Sequence, residues 1–322
     1  MMRNSARSAS SDTWFSEHPR VQRLVDRARE LGAIPTAVVY PCSRDALEGA
    51  LEARAAGLIV PIMVGPRAEI EHLAGLGKLS LGTCRIEDVA EPLAAARHAA
   101  AMVSGGSAEA LMKGSLHTDE LMTVIVSREA GLRTARRISH VFVMDVPSFD
   151  RLLLISDAAV NIAPDLRVKV DIVRNAIDVA TAIGIVEPKV ALLSAVETVN
   201  PDIPSTLDAA ALRDMARRGE IAGCVLDGPL AFDNAISADA ARIKNISSAV
   251  SGAVDILIVP TLESGNILYK SMVYISSAIA AGVVAGARVP IMLTSRADSP
   301  ASRTASAAVA CLIAHGKRRR SP

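Results

Sequence analysis

Aromatic residues are nearly missing from this chain: one Trp, three Tyr and four Phe, 2% of 322 residues. Half the residues are nonetheless hydrophobic, so Ala, Val, Ile and Leu must build the core. That favours buried parallel strands under Ala-rich helices over an aromatic-rich β-sandwich. Charge of one sign is missing too. Lys and Arg number 35 against 34 Asp and Glu, a formal net charge of +1, which gives no basis for a nucleic-acid or acidic-surface partner. Cysteine is sparse: Cys42, Cys84, Cys224 and Cys311 are scattered without a CxxC pair. This argues against a disulfide framework or a metal site and for reduced thiols in the cytosol. No uninterrupted apolar run is long enough to span a bilayer. The stretch 276–293 comes nearest, and Gly282, Gly286, Arg288 and Pro290 break it. No GxGxxG follows a strand and no Walker A sequence is present, so nucleotide folds gain no motif support.

What is present is alternation. Residues 1–18 are Ser- and Arg-rich, lack an apolar signal core and carry Asp12 and Glu17, which reads as a loose tail. The basic run 317–320 reads as a solvated tail. Between them, short apolar runs at 36–40, 58–64, 110–112, 140–146, 152–156, 190–195, 223–227, 255–259 and 289–293 read as strands. Amphipathic stretches at 44–56, 89–103, 165–184, 207–218, 238–244, 266–281 and 299–315 read as helices. The clearest helix starts at Asp165 as N-cap, puts Leu166, Val170, Val173, Ile177 and Ala180 on one face, and ends near Gly184. This pattern predicts a doubly wound α/β fold with right-handed crossovers, whose ligands bind where strands end.

Several strand ends are more polar than packing requires. The turn 293–299 offers backbone N–H groups at a helix start and the Arg296 guanidinium, a fit for an anion; it also reads as plain capping by Asp298 or Ser299. The turns 157–165, 227–234 and 260–266 share the layout, and Gly265 suits either a close ligand approach or an ordinary turn. In the turn 112–118, Lys113 suits phosphate and His117 suits acid–base work or a helix cap. Cys224, in an apolar strand, reads as buried and inert rather than as a nucleophile.

Seven co-linear strings, 110–114 (ALMKG), 131–134 (GLRT), 156–165 (SDAAVNIAPD), 194–197 (SAVE), 227–236 (DGPLAFDNAI), 263–266 (ESGN) and 293–299 (LTSRADS), resemble the phosphate acetyltransferase/phosphate butyryltransferase family. The wording is closer to the butyryltransferase-like branch, and closest to the module fused to MaoC-type enoyl-CoA hydratases. The resemblance implies two α/β domains flanking a cleft, like isocitrate and isopropylmalate dehydrogenases. The first domain would take 19–144 and 286–322, and the second 145–285, through which a homodimer forms. It implies reversible transfer of a short acyl group (acetyl, propionyl or butyryl) between CoA and inorganic phosphate in a ternary complex, in the cytoplasm, with no tightly bound cofactor. A free thiol has a pKa of about 8.5 and is only a few per cent thiolate at neutral pH, so a positioned base is worth roughly 10²–10⁴-fold.

The family's roles give Ser295 transition-state stabilisation and Arg296 phosphate binding. Two family residues are replaced. Acetyltransferases have an Asp base seven residues after that serine, where Ser302 stands here, so Asp298 is the expected base. Their arginine in the helix after the His117 turn is Thr123 here, and Arg133 is its candidate substitute. The remaining expected phosphate or CoA contacts are Lys113, His117, Asn161, Asp227, Asn234, Glu263, Gly265, Asn266 and Thr294. The competing readings are a same-fold NAD-dependent dehydrogenase, a carrier-protein acyltransferase and a non-catalytic paralogue.

Overall fold

The computed structural model describes residues 16–293 and 298–320. Its strands are β1 (Ile34–Val39), β2 (Ile59–Gly65), β3 (Arg85–Asp88), β4 (Ala110–Lys113), β5 (Ser139–Asp145), β6 (Leu153–Ser156), β7 (Lys189–Leu193), β8 (Val225–Leu230), β9 (Ile256–Ile258), β10 (Ile279–Ala285) and β11 (Ile291–Met292). Its helices are α1 (Pro19–Leu31), α2 (Arg44–Ala55), α3 (Arg67–Gly77), α4 (Pro92–Ser104), α5 (Thr118–Ile125), α6 (Leu166–Ala182), α7 (Pro204–Arg217), α8 (Phe232–Ile236), α9 (Ala238–Ile243), α10 (Leu262–Ile275) and α11 (Pro300–Arg320). All the strands join one sheet, ordered β3-β2-β1-β4-β11-β10-β5-β6-β9-β7-β8.

Local chemistry sets many of the boundaries. The Asp165 carboxylate accepts the Val168 N–H and caps α6, whose Val170, Val173, Ile177 and Ala180 are buried. Pro92 and Pro204 open α4 and α7 at first-turn positions, where no N–H is needed. Pro290 stands just ahead of β11, where a missing donor costs least.

The stretch expected to be helical over 266–281 divides instead. The helix ends at Ile275, and from Ile279 the chain runs as the central strand β10. Strand β3 and helices α1, α3 and α8 are additional to the sequence expectation, and α11 runs five residues beyond 315.

Strand direction follows from the register. β1, β2, β3, β4 and β11 run parallel. Then β10 opposes β11, β5 opposes β10, and β6 opposes β5. Three reversals leave β6, β9, β7 and β8 parallel to one another but opposed to the first group. The polar turns after β4 and β11 therefore leave one edge of the sheet, and those after β6, β8 and β9 leave the other.

The two faces are covered differently. On one, a single apolar layer beneath α1, α2, α6, α7 and α11 runs from β1 to β7. On the other, the core splits in two. One cluster joins β1, β4 and β11 to α4 and α5, and the second joins β5, β6, β7 and β9 to α8 and α10. The divide between them lies over β10 and β5.

Candidate active site

The floor of that divide can be read from the register. Phe142 pairs with Gly282; β10 pairs with β11 at Val284–Ile291, and β11 with β4 at Met292–Met112. Continuing this register sets Leu293 beside Gly282 and beside Lys113. Alternation turns Phe142, Gly282, Leu293 and Lys113 to the same divided face. Where β11 stops, the Gly282 N–H donates to Ser306 Oγ of α11 at 2.9 Å.

Lys113 is half-buried, and its ammonium donates to the carbonyls of Gly114 at 3.1 Å and Leu116 at 3.4 Å. Gly114 is a position only glycine fits, because a Cβ there would collide with the carbonyl oxygens of Val39 and Tyr40. Ser115 Oγ donates to Tyr40 O at 2.8 Å and accepts the Cys42 N–H at 3.2 Å, knitting the ends of β1 and β4 together. His117 is exposed at the start of α5, and its N–H donates to Glu120 Oε2 at 2.9 Å.

At the opposite edge the buried Asp157 carboxylate organises the turn after β6. It accepts the N–H groups of Ala159, Val160 and Asn161 at 3.0, 3.1 and 3.0 Å. Asn161 Nδ2 donates to Asp157 at 2.5 Å and to Ile138 O at 2.9 Å. Helix α10 closes on this turn through Gly265, whose missing Cβ would sit 2.8 Å from Val259 Cγ2, 2.9 Å from Ala158 Cβ and 3.0 Å from Asp157 O. The tight approach at Gly265 is thus protein against protein. Asn266 Nδ2 donates to Ala158 O at 3.4 Å, and Glu263 is exposed in the first turn of α10.

One helical turn beyond Gly265, on the same face, Tyr269 stacks on Phe142 with centroids 3.9 Å apart and planes 21° apart. Phe142 in turn meets the His140 ring at 4.3 Å. Burial, and then the negative charge of Asp298, push the Tyr269 phenol above its ordinary pKa, so Asp298 lies close enough to be felt there. Asp298 O accepts Arg303 Nη1 at 3.0 Å, while Ser299 Oγ accepts the Ser302 N–H at 3.1 Å and caps α11. Thr294, Ser295 and Arg296 lie outside the described residues.

The other expected contacts stand apart. Asp227 accepts the N–H of its own neighbour Gly228 at 2.9 Å. Asn234 is buried and donates to Glu197, whose carboxylate is held below its ordinary pKa first by Lys244 at 2.9 Å. Arg133 is exposed on a groove of about 480 Å³ lined also by Arg136, Arg137, Arg167, Asp165 and Asp171. One of these cations has a local acidic partner, Arg136 pairing with Asp178 at 2.6 Å, and the backbone N–H of Arg137 donates to Asp171 at 2.9 Å. Cys224 is half-buried, and burial pushes its thiol up to about 11; burial pushes Cys42 up to about 12. Neither is a thiolate at neutral pH. Among the described residues no group of three His, Cys, Asp or Glu is placed to hold a metal ion, and no helix is long and apolar enough to cross a membrane.

Sequence reasoning passed over His140, Phe142, Tyr269 and Gly282. Rarity was the available signal, since two of the chain's few aromatic rings meet here.

Comparison with known proteins supplies the remaining findings. The family model described as "Phosphate acetyl/butaryl transferase" matches residues 70–311. A phosphate acetyltransferase of Rhizobium meliloti is 55% identical over 305 residues, 95% of this chain and 96% of that one. A phosphate butyryltransferase of Clostridium acetobutylicum is 41% identical over 293 residues, 90% of this chain and 96% of that one. Among solved structures, a branched-chain phosphotransacylase from Enterococcus faecalis V583 superposes with a TM-score of 0.75 at 30% identity, covering 88% of this chain and 99% of that one.

Proposed function

The chain belongs to the phosphate acetyl/butyryl transferase family, and from that premise we propose how its residues carry out the reaction. It is an acyltransferase that moves an acyl group reversibly between coenzyme A and inorganic phosphate. The observation that carries this is the near-full-length match to phosphate acyltransferases of both acyl classes.

In the direction of acyl-CoA formation, the CoA sulfur attacks the carbonyl carbon of an acyl phosphate. The C–S bond forms, the C–O bond to phosphate breaks, and phosphate leaves with the electron pair. Asp298 takes the thiol proton, Arg296 neutralises the phosphoryl oxygens, and Ser295 donates to the charge developing on the transferred group. Support for Asp298 comes from its charge being felt at Tyr269 and from its position two residues after Arg296 in the chain. Lys113, level with Leu293 on the neighbouring strand, adds positive charge at the same sheet edge. The basic groove at Arg133, Arg137 and Arg167 suits the anionic nucleotide end of CoA. Ile138 on its wall is four residues from Phe142 along β5, about 13 Å, a span for the extended arm of CoA.

The substrates in this reading are short acyl-CoAs and phosphate, the compartment is the cytosol, and the boundaries 19–144 with 286–322 and 145–285 separate two domains. The pairing of β11 with β4, which returns the C-terminus to the first segment, supports that division. The proposed assembly is a homodimer through α10, whose outward Ile267, Tyr274 and Ile275 are exposed by 66%, 73% and 81%; surfaces of this kind mark association sites. Sedimentation of wild type and Ile275→Lys tests it: a dimer that the variant converts to monomer is expected.

The chemistry is tested by phosphate-dependent release of CoA thiol from acetyl-, propionyl- and butyryl-CoA. Release from none of them refutes the function. Arg296→Ala should lose most of the activity. Asp298→Asn should fall about 10²–10⁴-fold and lose the acidic limb of the pH–rate profile; an unchanged profile eliminates Asp298 as the base.

A further inference from the structure

On the face covered by α6 and α11, away from the divide, the fold leaves a cavity of about 300 Å³. Val179, Ala285 and Ile313 give it an apolar wall, and Arg136, Asp178 and Lys317 bring charge to it. Lys317 stands near the end of α11 as an exposed residue, but its ammonium turns back to the loop between β10 and β11. There it donates to Ala287 O at 2.7 Å and to Arg288 O at 3.0 Å. Arg136 Nη1 donates to Asp178 at 2.6 Å, which uses one of the five donors of the guanidinium. Removal from water lowers the Lys317 ammonium to about 8; Asp178 opposes the fall and the Arg136 cation adds to it. About one Lys317 side chain in ten is then neutral at pH 7, against roughly one in 2,500 for an ordinary lysine. A neutral amine keeps two N–H donors, enough for both carbonyls, and gains a lone pair.

This combination matches an acyl phosphate in chemistry. The Arg136 guanidinium suits the phosphoryl oxygens, the apolar wall suits a short alkyl chain, and the amine is a nucleophile for the carbonyl carbon. We propose that Lys317 is a self-acylation site, taking the acyl group of an acyl phosphate held in this cavity. Nζ attacks the carbonyl carbon, the C–N bond forms, the C–O bond to phosphate breaks, and phosphate leaves with the electron pair. The proton that the nitrogen sheds passes to water. The product is an uncharged acyl-lysine with a single N–H left for the two carbonyls. The site rests on the acyl-transfer reading above for its supply of acyl phosphate.

The test adds acetyl phosphate to the intact protein without CoA and reads labelling by peptide mass spectrometry. Cleavage before Asp298 releases the peptide 298–322, whose one lysine is Lys317. The gain in neutral amine is roughly 200-fold, and the lower basicity takes part of it back, so Lys317 should be acetylated about 10-fold faster or more than the exposed Lys78 and Lys270. Its rate should saturate with acetyl phosphate, fall when inorganic phosphate is added, and lose its advantage in urea. Arg136→Gln should slow the labelling several-fold, and Asp178→Asn, which removes the opposing charge, should speed it. With acetyl-CoA in place of acetyl phosphate, labelling of Lys317 should require inorganic phosphate. Lys317 labelled no faster than Lys78 and Lys270, in a protein that does release CoA thiol, overturns the site and leaves the acyl-transfer reading standing. Fast, saturable labelling by added acetyl phosphate in a protein that releases no CoA thiol from any acyl-CoA supports the site and refutes that reading.

Discussion

His140 is wholly buried, its Nδ1 has no hydrogen-bond partner among the described residues, and its ring lies against Phe142. Burial pushes its pKa down to about 4, against a smaller upward pull from Asp157. Between pH 6.5 and 4 the unfolded imidazole binds a proton that the folded one refuses. The unfolded state then carries more protons, so stability falls as pH falls through this window. The contribution is about 2 kcal/mol lost between pH 7 and pH 5, since one pKa unit is worth about 1.4 kcal/mol. Urea midpoints at the two pH values should therefore drop for wild type, and His140→Phe should remove about that much of the drop. An equal drop in the variant assigns the acid sensitivity elsewhere. A Phe at this position keeps a flat ring beside Phe142, so the comparison isolates the titration. The buried thiols add no such dependence in this range, because Cys42 and Cys224 stay protonated far above neutrality.

Helix α10 links the two edges of the divide, with Gly265 against the Asp157 turn and Tyr269 against Phe142. Gly265→Ala pits two effects against each other. Alanine is the better helix former by about 1 kcal/mol, but its Cβ would lie within 3.0 Å of Val259, Ala158 and Asp157 O. Overpacking of that kind costs about 1–3 kcal/mol, and backbone has little room to yield, so the clash should win. A lower urea midpoint and a loss of activity larger than that of Tyr269→Phe are expected; a more stable, fully active variant rejects the account. The same helix shows what the sequence could reveal. Helix α6 on the opposite face was plain, because Asp165, a regular apolar face and Gly184 mark its start, side and end. The end of α10 was not: 276–285 contains neither proline nor charge, so nothing marks where the helix gives way to the Ala- and Val-rich strand β10. β3 escaped because it is a polar edge strand whose residues are exposed or half-buried. The anion-friendly turns could be located from strand ends alone. Their chemistry came from resemblance, and the Phe142–Tyr269 contact was invisible because it joins residues 127 positions apart only once the sheet is assembled.

Across the whole molecule the two faces make opposite demands. The split face leaves a divide for substrates, while the continuous layer on the other face must hold both halves together. Helix α11 is central to that layer. Ala305, Ala307, Ala308, Val309, Ala310, Cys311, Leu312, Ile313 and Ala314 are all buried. The helix packs on β10, α1, α2 and α6. Its small side chains allow the close approach, and a helix apolar all round is one enclosed by protein. Polar ties fix its position: Arg303 pairs with Glu52 of α2 at 3.1 Å, and the His315 ring lies 2.8 Å from Gly32 O beyond α1. Helix α1 is anchored in turn across the divide, where Arg20 pairs with the buried Asp145 at the end of β5 at 2.6 Å. With the layer shared in this way, neither half has a core of its own on that face, and unfolding should be a single cooperative transition despite the divide. Urea curves followed by far-UV circular dichroism and by reactivity of the buried Cys311 thiol should coincide. Ala308→Asp, which buries an unpaired charge in α11, should cost several kcal/mol, with hydrogen-exchange protection lost together in β1–β4 and in β6–β9. Loosening confined to β1–β4 would mean that the halves are independent domains resting on one another, and α11 would then belong to the first alone.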